Sequence, residues 1–149
     1  MVLLPLFGDR KPVALARGFD ARFSPDGSWV ACTSTESGRN EIFVHSLPGA
    51  AAAGKFQISI DGGTAPRWRD DGKELYFLSD RKLMAVTVTA SATSFRAGKP
   101  VALFQVPGQA PTFAPDRDGR RFLFLMPAAR DAPRPLTVVL NWESRLRKP

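Results

Sequence analysis

Cysteine, histidine and tyrosine each occur once in this chain, as Cys32, His45 and Tyr76. A single cysteine excludes an internal disulfide framework. One histidine cannot build a multi-histidine metal centre, and no cysteine pair stands ready to help it. Cys32 lies in the apolar run Trp29-Val30-Ala31-Cys32-Thr33, where a buried, inert thiol is expected. No apolar run approaches the length of a membrane span. The opening Met1-Val2-Leu3-Leu4-Pro5-Leu6-Phe7 is too short for a signal-peptide core, has no basic start and precedes no small-residue cleavage site. The expectation is a soluble chain without an export signal of its own. Phosphate loops, dinucleotide fingerprints and Gly-x-Ser-x-Gly elbows are all missing. Acidic residues are the scarcer charge, 14 Asp and Glu against 21 Lys and Arg, for a net charge of +7. The basic residues are scattered, with small clusters at 117–121 and 145–148. Nucleic-acid binders concentrate such charge on one face, so the scatter argues for a basic solvated surface instead.

What the chain does have is phenylalanine, proline, glycine and a repeat. Eleven Phe and three Trp favour strands with packed faces, and thirteen Pro and twelve Gly punctuate short apolar runs. Ala21-Arg22-Phe23-Ser24-Pro25-Asp26-Gly27 is echoed by Pro66-Arg67-Trp68-Arg69-Asp70-Asp71-Gly72. Pro111-Thr112-Phe113-Ala114-Pro115-Asp116 follows, its turn closed by Asp118-Gly119. Phe23, Trp68 and Phe113 thus stand 45 residues apart. A period of about 40–45 residues, each unit opening on a short strand and an Asp-Gly turn, is the signature of β-propeller blades. The length holds a little over three such units, fewer than the four to eight of a closed ring.

Alternation and turn chemistry divide each unit further. In the first, strands are expected at 22–23, 29–35, 42–46 and 55–59; in the second, at 66–69, 74–79, 83–89 and 101–106, with 91–100 as a loop. The third supplies 112–114, 122–126 and 136–141, and the first eighteen residues supply two strands at 2–6 and 12–15. The expected fold is therefore all-β, a partial β-propeller of about three four-stranded antiparallel blades. Its divisions fall at 1–18 (two strands of a preceding blade), 19–63, 64–108, 109–142 (an incomplete blade) and 143–149 (a basic tail). Phe23, Trp68 and Phe113 are expected at equivalent inner-strand positions, packed between sheets.

Residues that could carry chemistry are few. Ser24 sits in Ser-Pro-Asp-Gly, where Pro and Gly occupy the positions of a tight turn. Asp116-Arg117-Asp118-Gly119 is like the opening of a calcium loop, but Pro127 stands where the bidentate glutamate is required. Asp70-Asp71 are turn residues before they are acid–base candidates. Arg22 and Arg67 recur at one place in two units, on strands that would edge a propeller's central channel. They are the candidate binding residues, and the competing expectation is that each caps a turn or pairs with a carboxylate. No metal, cofactor or catalytic residue is expected.

The runs at 21–31, Ser37-Gly38-Arg39-Asn40-Glu41-Ile42-Phe43-Val44, Gly62-Gly63-Thr64-Ala65-Pro66-Arg67-Trp68, Asp71-Gly72-Lys73-Glu74-Leu75-Tyr76-Phe77 and Leu136-Thr137-Val138-Val139-Leu140-Asn141-Trp142 resemble TolB-like, WD-type propeller repeats. More narrowly, they look like the C-terminal part of the propeller of bacterial receptor-type serine/threonine kinases. The resemblance spans nearly the whole chain and is specific for fold, not function. It implies a non-catalytic sensor or scaffold module that binds a protein or small ligand within a larger bacterial protein. That setting would be periplasmic or extracellular for a receptor-type parent and cytoplasmic otherwise. No kinase motif is present. Two alternatives stay open: the propeller part of a prolyl-oligopeptidase-type hydrolase, whose catalytic domain is missing here, and a short protein that self-associates into a closed ring as a homo-oligomer.

Overall fold

The computed structural model describes residues 1–48, 54–106, 108 and 110–126. Among them every regular element is a strand, thirteen in all, and every pairing is antiparallel. The strands make four sheets, and none closes into a barrel. β1 (Val2–Leu3) and β2 (Val13–Ala14) form a two-stranded sheet. A four-stranded meander follows: β3 (Phe19–Phe23), β4 (Trp29–Ser34), β5 (Glu41–Ser46) and β6 (Lys55–Gln57). The third sheet holds β7 (Thr64–Trp68), β8 (Glu74–Ser79), β9 (Lys82–Ser91), β10 (Ser94–Ala97) and β11 (Val101–Gln105). β12 (Thr112–Pro115) and β13 (Phe122–Leu125) form the last.

Local chemistry explains the turns. Between β3 and β4, Gly27 adopts φ 71 and its N–H donates to the Ser24 carbonyl at 2.9 Å. Between β7 and β8, Gly72 adopts φ 71 and donates to Arg69 at 2.9 Å. Asp26 and Asp71 accept the backbone N–H two residues on, from Ser28 at 3.2 Å and Lys73 at 3.0 Å, the side-chain-to-backbone bond that makes Asp a turn former.

Side-chain alternation builds the core. Along β8, Leu75 and Phe77 face one side and join Trp29, Ala31, Ile42, Val44, Trp68, Val86, Val88 and Phe95. Tyr76 and Leu78 face the other, joining Ala65, Leu83, Val106 and Phe113, with Phe122 and Phe124 packed alongside. The third sheet is thus covered on both faces, which explains why β8 reads as an unbroken apolar run. Each aromatic or aliphatic side chain of this size removed from water contributes about 1.5–3 kcal/mol.

Three expectations need correction. The loop expected at 91–100 contains β10, which pairs with the far end of β9 from Ser94↔Ser91 to Ala97↔Val88. That arm carries Phe95 back over the second sheet, its ring centroid 5.1 Å from Trp29 and 4.9 Å from Phe56. The strands near the N-terminus are shorter than expected, two residues each. Phe23 is 56% exposed, whereas Trp68 and Phe113 are 8% and 3% exposed. Trp68 leans on β3, donating its indole N–H to the Arg22 carbonyl at 3.1 Å. Phe113 leans on β7, under the Arg67 guanidinium. Among the described residues the principal strand neighbours of β3 are β4 and β7, and none of them offers Phe23 the support that β3 gives Trp68 and β7 gives Phe113. The strand expected at 136–141 and the basic tail at 143–149 lie outside the described residues.

Candidate binding cleft

A backbone irregularity near the start of β3 organises the candidate site. The β3–β4 register shifts between Phe19 and Arg22, and Asp20 within that shift adopts φ 49. β7 repeats the shift between Thr64 and Arg67, with Ala65 at φ 56. Asp is among the non-glycine residues that tolerate this left-handed conformation. The bulge aims the Asp20 carboxylate at both candidate arginines. Arg22 Nη2 lies 2.7 Å from Asp20 Oδ1, and Arg67 Nη1 lies 3.2 Å from each Asp20 oxygen.

The two arginines then diverge. Arg67 is braced across three strands: Nε donates to the Phe113 carbonyl at 3.0 Å, Nη2 to Thr112 Oγ1 at 2.6 Å, and Nη1 also to the Pro66 carbonyl at 2.7 Å. Its side chain is 14% exposed. Arg22 spends Nη1 on the neighbouring Ala21 carbonyl at 2.7 Å, and its side chain stays 44% exposed. Arg67 is a strut and Arg22 a half-free cation. Both line an open cleft of about 480 Å³ with Phe23, Pro25, Trp68 and Asp70. Asp70 carries an exposed partner, Arg117, at 3.6 Å. A neighbouring cavity of about 380 Å³ runs between the two turns and includes Ser24, Asp26, Asp71 and Lys73 in its lining.

The remaining chemistry-bearing residues are spent on the fold. The Ser24 hydroxyl donates to Asp26 Oδ1 at 2.5 Å and accepts the Trp29 N–H at 2.9 Å, tying the turn to β4. That hydroxyl and the Ser28 backbone hold the Asp26 carboxyl below the usual range. Arg69 grips Asp71 with two bonds, at 2.7 and 2.8 Å, and holds its carboxyl down to about 2. Arg121 does the same for Asp116, again to about 2. Burial pushes the Cys32 thiol up to about 11, far from a reactive thiolate. Burial, then the Lys55 ammonium, pushes the His45 imidazole below its ordinary value, and its Nε2 has no hydrogen-bond partner among the described residues. These groups stand apart: among the described residues no three His, Cys, Asp or Glu side chains gather closely enough to hold a metal ion. No described helix is long and apolar enough to cross a membrane.

Two polar residues escaped the sequence reading. Asp20 is the anion that joins the two arginines; an acid two residues from a candidate arginine is the signal that could have found it, although the bulge between them breaks the regular alternation that would put both on one face. Glu41 is 1% exposed at the start of β5. Arg39 Nε bonds it at 2.6 Å, and the Ser59 hydroxyl and the Gly62 N–H, the latter at 3.1 Å, complete its partners. The Arg39-Asn40-Glu41 spacing carried the same hint. The chain matches no protein-family model and no curated protein.

Proposed function

We propose that this chain is a non-catalytic segment of a TolB-like β-propeller, acting as a protein- or ligand-binding sensor or scaffold module of a larger bacterial protein such as a receptor-type serine/threonine kinase. One observation carries the reading. The first strands of three successive antiparallel sheets, β3, β7 and β12, lie side by side, while the sheets behind them stack face on face through two apolar clusters. Meanders radiating from adjacent first strands are how propeller blades are arranged. The cleft between β3 and β7 sits where such blades meet and offers the binding surface. The cysteine, serine and histidine that could attract a catalytic assignment are committed to sheet and turn. The open reading frame around the coding sequence tests the proposal: further 45-residue units joined to a kinase or a membrane segment are the expected result. A hydrolase domain in the same frame would replace it with the prolyl-oligopeptidase reading.

A second reading, self-association, is favoured by exposed apolar side chains on β13 and in the segment before β2. Leu123 and Leu125 of β13 are 76% and 61% exposed, and Leu6 and Phe7 are 73% and 81% exposed. Leu123 and Leu125 alternate onto one face of β13, and exposed apolar surface of this kind marks interfaces. Light scattering on the purified chain separates the two readings, since a defined dimer or higher ring supports the second and a monomer removes it.

A further inference from the structure

We propose that the cleft between β3 and β7 binds an acidic peptide of a partner protein, with a side-chain or terminal carboxylate on Arg22 and a neighbouring apolar side chain on Phe23. The inference rests on the binding-module reading and gives that module a ligand class.

The charge arrangement comes first. Two guanidiniums share the single carboxylate of Asp20, so their cluster carries one positive charge more than it neutralises. A guanidinium has five N–H donors. Arg67 spends Nε and Nη2 on β12 and Nη1 on Asp20 and its own strand, which fixes it in place. Arg22 bonds only the Ala21 carbonyl and Asp20 among the described residues. Three of its five donors are therefore unspent among the described residues, on a strand rather than on a loop. A single surplus charge with unspent N–H donors suits a monoanionic carboxylate, the partner that guanidinium binds most readily in a planar pair. A phosphate dianion would meet the same single charge and the exposed Asp70 beside it.

The apolar half comes from Phe23, 56% exposed, with Pro25 and Trp68 in the same lining. An exposed phenylalanine beside a half-free arginine pairs an apolar contact with a charged one, the combination that an acidic residue next to Leu or Phe satisfies. Arg and aromatic residues are also the side chains that dominate binding energy at interfaces. Asp70 sets the limit of the site: its carboxylate opposes a second negative charge, so one acidic residue fits and an acidic run does not.

The experiment is NMR of the full chain, following the Arg22 Nε–H and Phe23 ring signals during titration with N-acetyl-Leu-Glu-Leu-amide, with its Gln counterpart, and with inorganic phosphate. The Glu peptide is expected to shift both signals saturably, at least fivefold more tightly than the Gln peptide and more tightly than phosphate. Arg22→Gln, with an otherwise unchanged amide spectrum, is expected to lose that response, and Asp70→Asn to strengthen it at least twofold. Equal responses to the Glu and Gln peptides, phosphate binding as tightly, or no saturable shift at Arg22 would overturn the inference. A Glu-peptide response confined to residues outside the cleft would overturn it while leaving the binding-module reading intact. Hydrolysis of the peptide would overturn both.

Discussion

Replacing Arg67 with methionine should destabilise the chain far more than the same change at Arg22, though the two occupy matching places in the sequence. Methionine keeps most of the aliphatic stem, so the loss is the guanidinium fork. At position 67 the fork holds the Phe113 carbonyl at 3.0 Å and the Thr112 hydroxyl at 2.6 Å, from a side chain only 14% exposed. An acceptor left unpaired in such a site costs about 1–3 kcal/mol. Asp20 keeps Arg22 as a partner and is 24% exposed, so its share is about 0–1 kcal/mol. With one acceptor left stranded, the sum for Arg67→Met is about 1–4 kcal/mol. At position 22 the loss is one half-exposed ion pair and a bond to a neighbouring carbonyl, below about 1 kcal/mol. Urea denaturation of the two variants and the parent measures the difference as a shift in midpoint at constant slope. Equal midpoints for the two variants, or an Arg67→Met protein within about 0.5 kcal/mol of the parent, would refute the assignment of Arg67 as an inter-sheet strut.

Trp68→Ala should cost about 3–5 kcal/mol, because the ring is buried between two sheets; a thermal melt unchanged from the parent would contradict the packing. Arg81, at φ 57 in the two-residue turn between β8 and β9, should be improved by glycine, and Arg81→Gly is expected to stabilise by about 0.5–1 kcal/mol, read in the same melts. His45 is held neutral below its ordinary value near 6.5. The unfolded chain therefore binds a proton that the folded one refuses, and stability should fall as pH drops below about 6.5, by up to about 1.4 kcal/mol per unit. Denaturation at pH 7.5 and 5.5, with His45→Gln as the comparison, should give a drop in the parent that the variant lacks.

The strands were legible because their signals are local. Alternation along 42–46 and the Asp-Gly turns after Phe23 and Trp68 need no knowledge of distant partners, and β5 and β8 fall where they were expected. β10 was not legible, because Ser94-Phe95-Arg96-Ala97 holds one large apolar residue in a polar stretch. Phe95 is buried only because Trp29 and Phe56 arrive from another sheet. Phe23 failed for the same reason in reverse, since its period matches Trp68 and Phe113 but burial depends on which strand lies alongside. At the cleft, Arg22 and Arg67 were found by repetition. Their different roles follow from Asp20 and from β12, which the topology supplies and the 45-residue spacing does not.

The arm formed by β9 and β10 bears on how the chain acquires its shape. Trp29 is fully buried, and its indole N–H is satisfied by the Ser91 carbonyl at 2.9 Å, 62 residues further on. During synthesis the second sheet therefore leaves the ribosome with its central tryptophan lacking the Phe95 contact and its donor open. It stays so until the tip of the next hairpin has been made. The first meander is not a self-sufficient folding unit: its completion is timed by its successor. Contacts of such long sequence separation slow folding, and a nascent chain paused before Ser91 would present an apolar sheet face to chaperones or to other nascent chains.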